Sequence, residues 1–105
     1  MAPKIYDVYS DANPASTTAN FYLSHNQPDG NVTVTVTVYN LIGRPVWSGT
    51  SSGRSDMFLS VPVSWDLSDN AGRRVGRGIY LYRATITADG KSYETASRRI
   101  AVTAR

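Results

Sequence analysis

With 105 residues, 41% of them hydrophobic and 18% charged, the chain has the composition of one globular domain, not of a disordered tail. It has little room for both a substrate cleft and its supporting shells, which puts catalysis behind binding or docking, and its lack of Cys removes disulfides, thiol nucleophiles and thiolate metal sites. The formal charge of +3 is unevenly spread, with three cations against six anions in residues 1–70 and eight against two in residues 71–105, so the second part is the one to meet an anionic partner.

Alternation of period two recurs from end to end and no helical period is sustained, which predicts an all-β chain. Short strands are expected from Ile5 to Tyr9 and from Asn20 to Ser24, with the turn cluster Asp11-Ala12-Asn13-Pro14 between them. The plainest strand runs from Val32 to Val38, where the valines share one face, the threonines share the other and every residue is β-branched. Its valines should face the core. A short strand from Pro45 to Ser48 follows the turn at Ile42-Gly43-Arg44, and Met57 to Trp65 repeats the one-sided pattern with Met57, Leu59, Val61, Val63 and Trp65 together. Pro62 marks that segment as an edge strand or a bulge. The stretches Gly78 to Thr87 and Lys91 to Val102 flank Asp89-Gly90 and should form a terminal hairpin. About seven one-sided strands predict an immunoglobulin-like antiparallel β-sandwich, with a small barrel as the next choice.

No apolar run approaches the roughly 20 residues that cross a bilayer. Met1-Ala2-Pro3-Lys4 lacks the apolar stretch of a signal peptide and stands directly before a strand, so we expect a piece excised from a longer chain, forming a single domain over 1–105.

From Phe21 onward the residues follow a recognisable order: Phe21-x-Leu23-x-His25-Asn26-x-Pro28, then Val36-x-Val38-Tyr39-Asn40-Leu41-x-Gly43-Arg44-x-Val46-Trp47. Val63-x-Trp65-Asp66, Gly72, Gly78-Ile79-Tyr80-x-Tyr82-Arg83-Ala84 and Arg98-Arg99-Ile100-Ala101-Val102 complete it. The middle and later parts resemble the immunoglobulin-like domain of flagellar hook-capping proteins. The whole resembles the C-terminal signal domains of proteins exported by the type IX secretion system of Bacteroidetes, and within them the end of a gingipain-like cysteine peptidase of the sortase kind.

The resemblance implies a non-catalytic domain that carries its parent protein through the periplasm to the outer membrane and cell surface, with the peptidase site upstream and no cofactor in this domain. It implies outer-membrane type IX components as partners, such as a PorV-like shuttle or attachment complex. Recognition maps onto the last strand region, through Lys91, Arg98, Arg99, Ile100 and Val102. One departure is Thr103-Ala104-Arg105, which adds a positive charge after the usual apolar close.

The matched residues also have roles that need no family. Gly43 and Gly72 fit turns that need positive φ, Trp65 fills the core from the end of its strand, and Asp66 can accept hydrogen bonds from the turn after it. Tyr80 opens a strand after Gly78, its ring packing inward and its hydroxyl reaching backbone across a sheet corner.

Other constellations have plain readings. His25 is the single histidine, and its neighbours Ser24 and Asp29 lie too close along one segment for a triad, so turn capping is its expected role. Asp66-Leu67-Ser68-Asp69-Asn70 misses the spacing of a calcium loop and reads as Asx turns. Arg73, Arg74 and Arg77 lack the interleaved exposed aromatics of a nucleic-acid surface, so no nucleic acid is expected. Alternatives to export are a structural cap or spacer, and a carbohydrate-binding module using Trp47 or Tyr93 as a platform. A last strand joined by a short turn also predicts a strand-swapped homodimer through residues 91 to 102.

Overall fold

The structure is a computed structural model that describes residues 5–11, 15–25, 31–54, 63–88, 90–94 and 97–103. Eight strands follow in order: β1 (Ile5–Ser10), β2 (Ala19–His25), β3 (Asn31–Tyr39), β4 (Pro45–Arg54), β5 (Val63–Trp65), β6 (Gly78–Ala88), β7 (Lys91–Glu94) and β8 (Arg98–Val102). They form two antiparallel sheets, a smaller one ordered β1-β2-β5 and a larger one ordered β4-β3-β6, with β7 and β8 both pairing with the far side of β6. The result is the all-β sandwich that the alternation predicts.

Side-chain alternation builds the core. Val32, Val34, Val36 and Val38 point inward from β3, joined from the same sheet by Tyr82, Ala84, Ile86, Ile100 and Val102. Val8, Ala19, Phe21, Val63 and Trp65 close it from the smaller sheet. The outer face of the larger sheet is hydroxylated: Thr35 Oγ1 lies 3.2 Å from Thr50 Oγ1, and Thr87 Oγ1 lies 2.9 Å from Ser92 Oγ. A one-residue slip of β3 would exchange its valines for threonines, so burial fixes the register.

Two expectations need correction, and a third lies partly outside the described residues. The strand expected to end at Ser48 runs on to Arg54. Its Gly and Ser residues are weak strand formers by themselves, but β3 supplies partners along its length, from Trp47 opposite Val38 to Arg54 opposite Asn31. The segment Met57 to Trp65 is described as a strand only over β5; Met57, Leu59, Val61 and Pro62 lie outside the described residues. The single last strand is two. Between the pairs Tyr82↔Arg98 and Thr85↔Glu94, three steps along β6 match four along its partner. That one-residue excess shifts the register between β7 and β8.

Candidate docking edge

The terminal hairpin closes tightly. Ala88 pairs with Lys91, and Gly90 has φ of 76°, the left-handed conformation a two-residue turn needs. All four residues of β7 are exposed. On the outer face, Arg83 Nη1 lies 3.0 Å from Glu94 Oε1, and the same guanidinium sits 5.3 Å above the Tyr39 ring. Both ends of the ion pair are largely exposed, so it adds little stability.

The sequence-derived recognition residues divide by burial. Lys91, Arg98 and Arg99 are exposed, whereas Ile100 and Val102 belong to the core, at 0% and 3% exposure. Within β8 the last two thus anchor the strand that displays the arginines.

The two halves of this edge differ in cover. At the end of β8, Ala15 forms a parallel bridge with Val102; its N–H donates to the Ala101 carbonyl (2.8 Å), and its own carbonyl accepts from Thr103 N–H (2.9 Å). Arg74 fastens this strap, its Nη2 donating to the carbonyls of Ser16 (2.9 Å) and Thr103 (3.1 Å). In the sequence Arg74 stands with Arg73 and Arg77 in one basic loop. The structure separates them, leaving Arg73 and Arg77 exposed; nothing in the sequence signalled a clamp between segments 58 and 29 residues away. Among the described residues, β7 pairs with β6 alone.

The loop ahead of β6 positions Arg74. Trp65 is fully buried, its Nε1–H donating to the Ser68 carbonyl at 2.8 Å, with Phe21, Trp47 and Tyr80 packed around its ring. Asp66 Oδ1 accepts from Ser68 N–H, and Asp69 Oδ1 accepts from the N–H groups of Ala71 and Arg73. These carboxylates hold backbone turns, and no cluster of metal-binding residues exists among the described residues. Gly72 turns this loop with φ of 85°, as Gly43 turns the β3–β4 connection with φ of 91°. Tyr80 donates its hydroxyl hydrogen to the Gly76 carbonyl at 2.7 Å, bracing the start of β6 after Gly78, and partial burial pushes its phenol pKa up. Trp47 is half-buried against Trp65, so its ring is committed to packing; Tyr93 is 45% exposed. The backbone of His25 ends β2, opposite Ile5; its side chain, with Asn26 to Gly30, lies outside the described residues.

Fold and strand order define a small two-sheet antiparallel sandwich domain with an exposed terminal hairpin. Among solved structures it is similar to dimeric latent PorU from Porphyromonas gingivalis, with 28% identity and a TM-score of 0.86 over 100% of this chain and 10% of that one. The likeness is consistent with a PorU-like C-terminal domain, in agreement with the resemblance carried by the sequence motifs. The chain thus spans about a tenth of the PorU chain's length. A β-glucuronidase of Parabacteroides merdae shares the fold alone, at 15% identity and a TM-score of 0.62 over 95% of this chain and 14% of that one. PorZ of Porphyromonas gingivalis, a surface component of the type IX secretion system, matches 91% of this chain and 11% of its own at 19% identity, with a TM-score of 0.47. No protein-family model matches the chain, and no curated protein sequence matches it significantly.

Proposed function

We propose that this chain is the non-catalytic C-terminal domain of a longer, PorU-like cysteine peptidase of the sortase kind, and that it docks its parent to the type IX secretion machinery at the outer membrane. The full-length likeness to a segment of PorU carries this reading. The exposed β7 edge supports it as well, because among the described residues β7 pairs with β6 alone, and a strand open on one side offers backbone N–H and C=O groups to an added strand. Lys91, Arg98 and Arg99 would favour an acidic partner, while Ile100 and Val102 hold the edge in place.

The test is a fluorescent reporter fused ahead of this chain, behind a separate signal peptide, in a bacterium with an intact type IX system. Surface fluorescence that disappears when the system is disabled, or when residues 91–105 are removed, is the expected result. Surface delivery that survives the removal refutes the docking role. The same edge supports a strand-swapped homodimer as a second assembly. Light scattering after refolding at high concentration should then show dimer, and monomer alone at every concentration removes it.

A further inference from the structure

We propose that the end of the sandwich carrying the β3–β4 turn binds the surface of an anionic lipid bilayer, with the turn entering the headgroup region. The turn presents Leu41 and Ile42 at 67% and 85% exposure, the two most exposed large apolar side chains among the described residues. It is held in shape by Asn40. The Asn40 Oδ1 accepts from Ile42 N–H (3.1 Å) and Arg44 N–H (2.9 Å), its carbonyl accepts from Gly43 N–H (3.0 Å), and its own N–H donates to the Arg44 carbonyl (2.9 Å). A turn so pre-set loses little conformational freedom when its apolar side chains leave water.

What surrounds the tip points to the ligand. It lies beyond the last β3–β6 pair, Tyr39↔Leu81, at the end of the larger sheet where β6 begins. On that end Ile79, 44% exposed, adds a third apolar side chain to the outer face. Arg44 on the turn and Arg73 and Arg77 on the loop ahead of β6 are all exposed. That loop lies beside the base of the turn, since Asn40, Arg44 and Val46 line one open cleft with Asp69 and Asn70. Asp66 and Asp69, the acids of the loop, accept backbone hydrogen bonds within it, and the three exposed arginines of this end, Arg44, Arg73 and Arg77, outnumber them.

An apolar point with guanidinium groups set behind it is the arrangement that places aliphatic side chains at the acyl boundary and cations among anionic headgroups. The convex shape favours a bilayer, which yields around a projecting tip, over a folded protein, which would need a pocket cut to receive it. This inference is independent of export. A chain that reaches the cell surface but ignores vesicles removes the bilayer site alone.

The experiment is sedimentation of the chain with vesicles of phosphatidylcholine rich in phosphatidylglycerol, compared with phosphatidylcholine alone. Binding to the anionic vesicles, weakening with added salt, is expected. Ile42→Asp should lower the partition coefficient about tenfold, and Arg44→Ala or Arg77→Ala about fivefold each. Ile42 is exposed enough for the aspartate to be tolerated, and an unchanged near-ultraviolet circular dichroism spectrum verifies the fold. Absence of binding to anionic vesicles overturns the proposal, as does binding that Ile42→Asp leaves intact. If Ile42→Asp instead turns a dimer into a monomer in light scattering while vesicle binding is unchanged, the tip is a contact between copies and the proposal fails.

Discussion

Leu67 is the one non-glycine with positive φ among the described residues, at 63°, yet its side chain is fully buried. The left-handed conformation costs a leucine on the order of 1 kcal/mol, and the core contact of the side chain offsets it. Leu67→Ala should therefore destabilise the domain by about 2–5 kcal/mol. Leu67→Gly should be no worse, because glycine is relieved of the backbone cost while losing the same packing; urea denaturation of both variants checks the order. Asp11 makes a different kind of contribution. Its two carboxylate oxygens accept from Asn20 Nδ2–H and N–H, each at 2.9 Å, and these hydrogen bonds lower its pKa. A folded-state pKa below the unfolded value stabilises the fold above about pH 4 and ceases to do so as pH falls through the lowered value. Asp11→Ala should thus shift the urea midpoint slightly at neutral pH, the site being exposed, and not at all at strongly acid pH. A shift of equal size at both would assign the effect to something other than the carboxylate.

At the scale of elements, the strap on β8 is where backbone pairing and one side chain act together. Arg74→Ala removes the bonds to Ser16 and Thr103 but leaves those of Ala15 with Ala101 and Thr103 in place. The expected outcome is faster hydrogen exchange at Ala15 and Thr103, with the amides of β3 unaffected. Uniform acceleration throughout would mean that Arg74 supports global stability instead. The edge strand β4 shows a second cooperation: a Cβ added at Gly49 would collide with Cη2 and Cζ2 of Trp47, whose indole lies over this glycine and against Trp65. Gly49→Ala should displace that ring, visible as a changed tryptophan emission together with lower stability. The glycine that weakened β4 as a sequence signal is the residue that lets Trp47 pack. Strand existence was legible from Val32 to Val38 because a β-branched run with one apolar face has no other good use. The length of β4 was not, because an edge strand of Gly and Ser takes its conformation from its neighbour.

For the molecule as a whole, one core joins both sheets: Phe21 of the smaller sheet lies 4.7 Å from Tyr82 of the larger, ring centre to ring centre, and Trp47 and Trp65 meet across the same gap at 5.9 Å. Among the described residues, neither sheet has another buried cluster to fall back on. Phe21→Leu should lower the melting temperature of the entire domain, with far-ultraviolet circular dichroism and tryptophan emission changing at one midpoint. Two separate midpoints would show that the sheets unfold independently.

The amino-acid sequence by itself determined the all-β class, the faces of β3, the buried place of Trp65 and the tight terminal hairpin, because each follows from local periodicity, side-chain size or turn chemistry. Its ordered motifs also brought the resemblance that the likeness to PorU supports. Only the tertiary structure decided which sheet each strand joins, that β7 and β8 meet β6 one residue out of step, and that Arg74 ties the segment at Ala15 to the last strand. The same holds for Arg98 and Arg99 remaining exposed while Ile100 and Val102 complete the core. Those outcomes depend on contacts between residues far apart in the chain, and such contacts are chosen by how the core closes, which no local pattern of residues records.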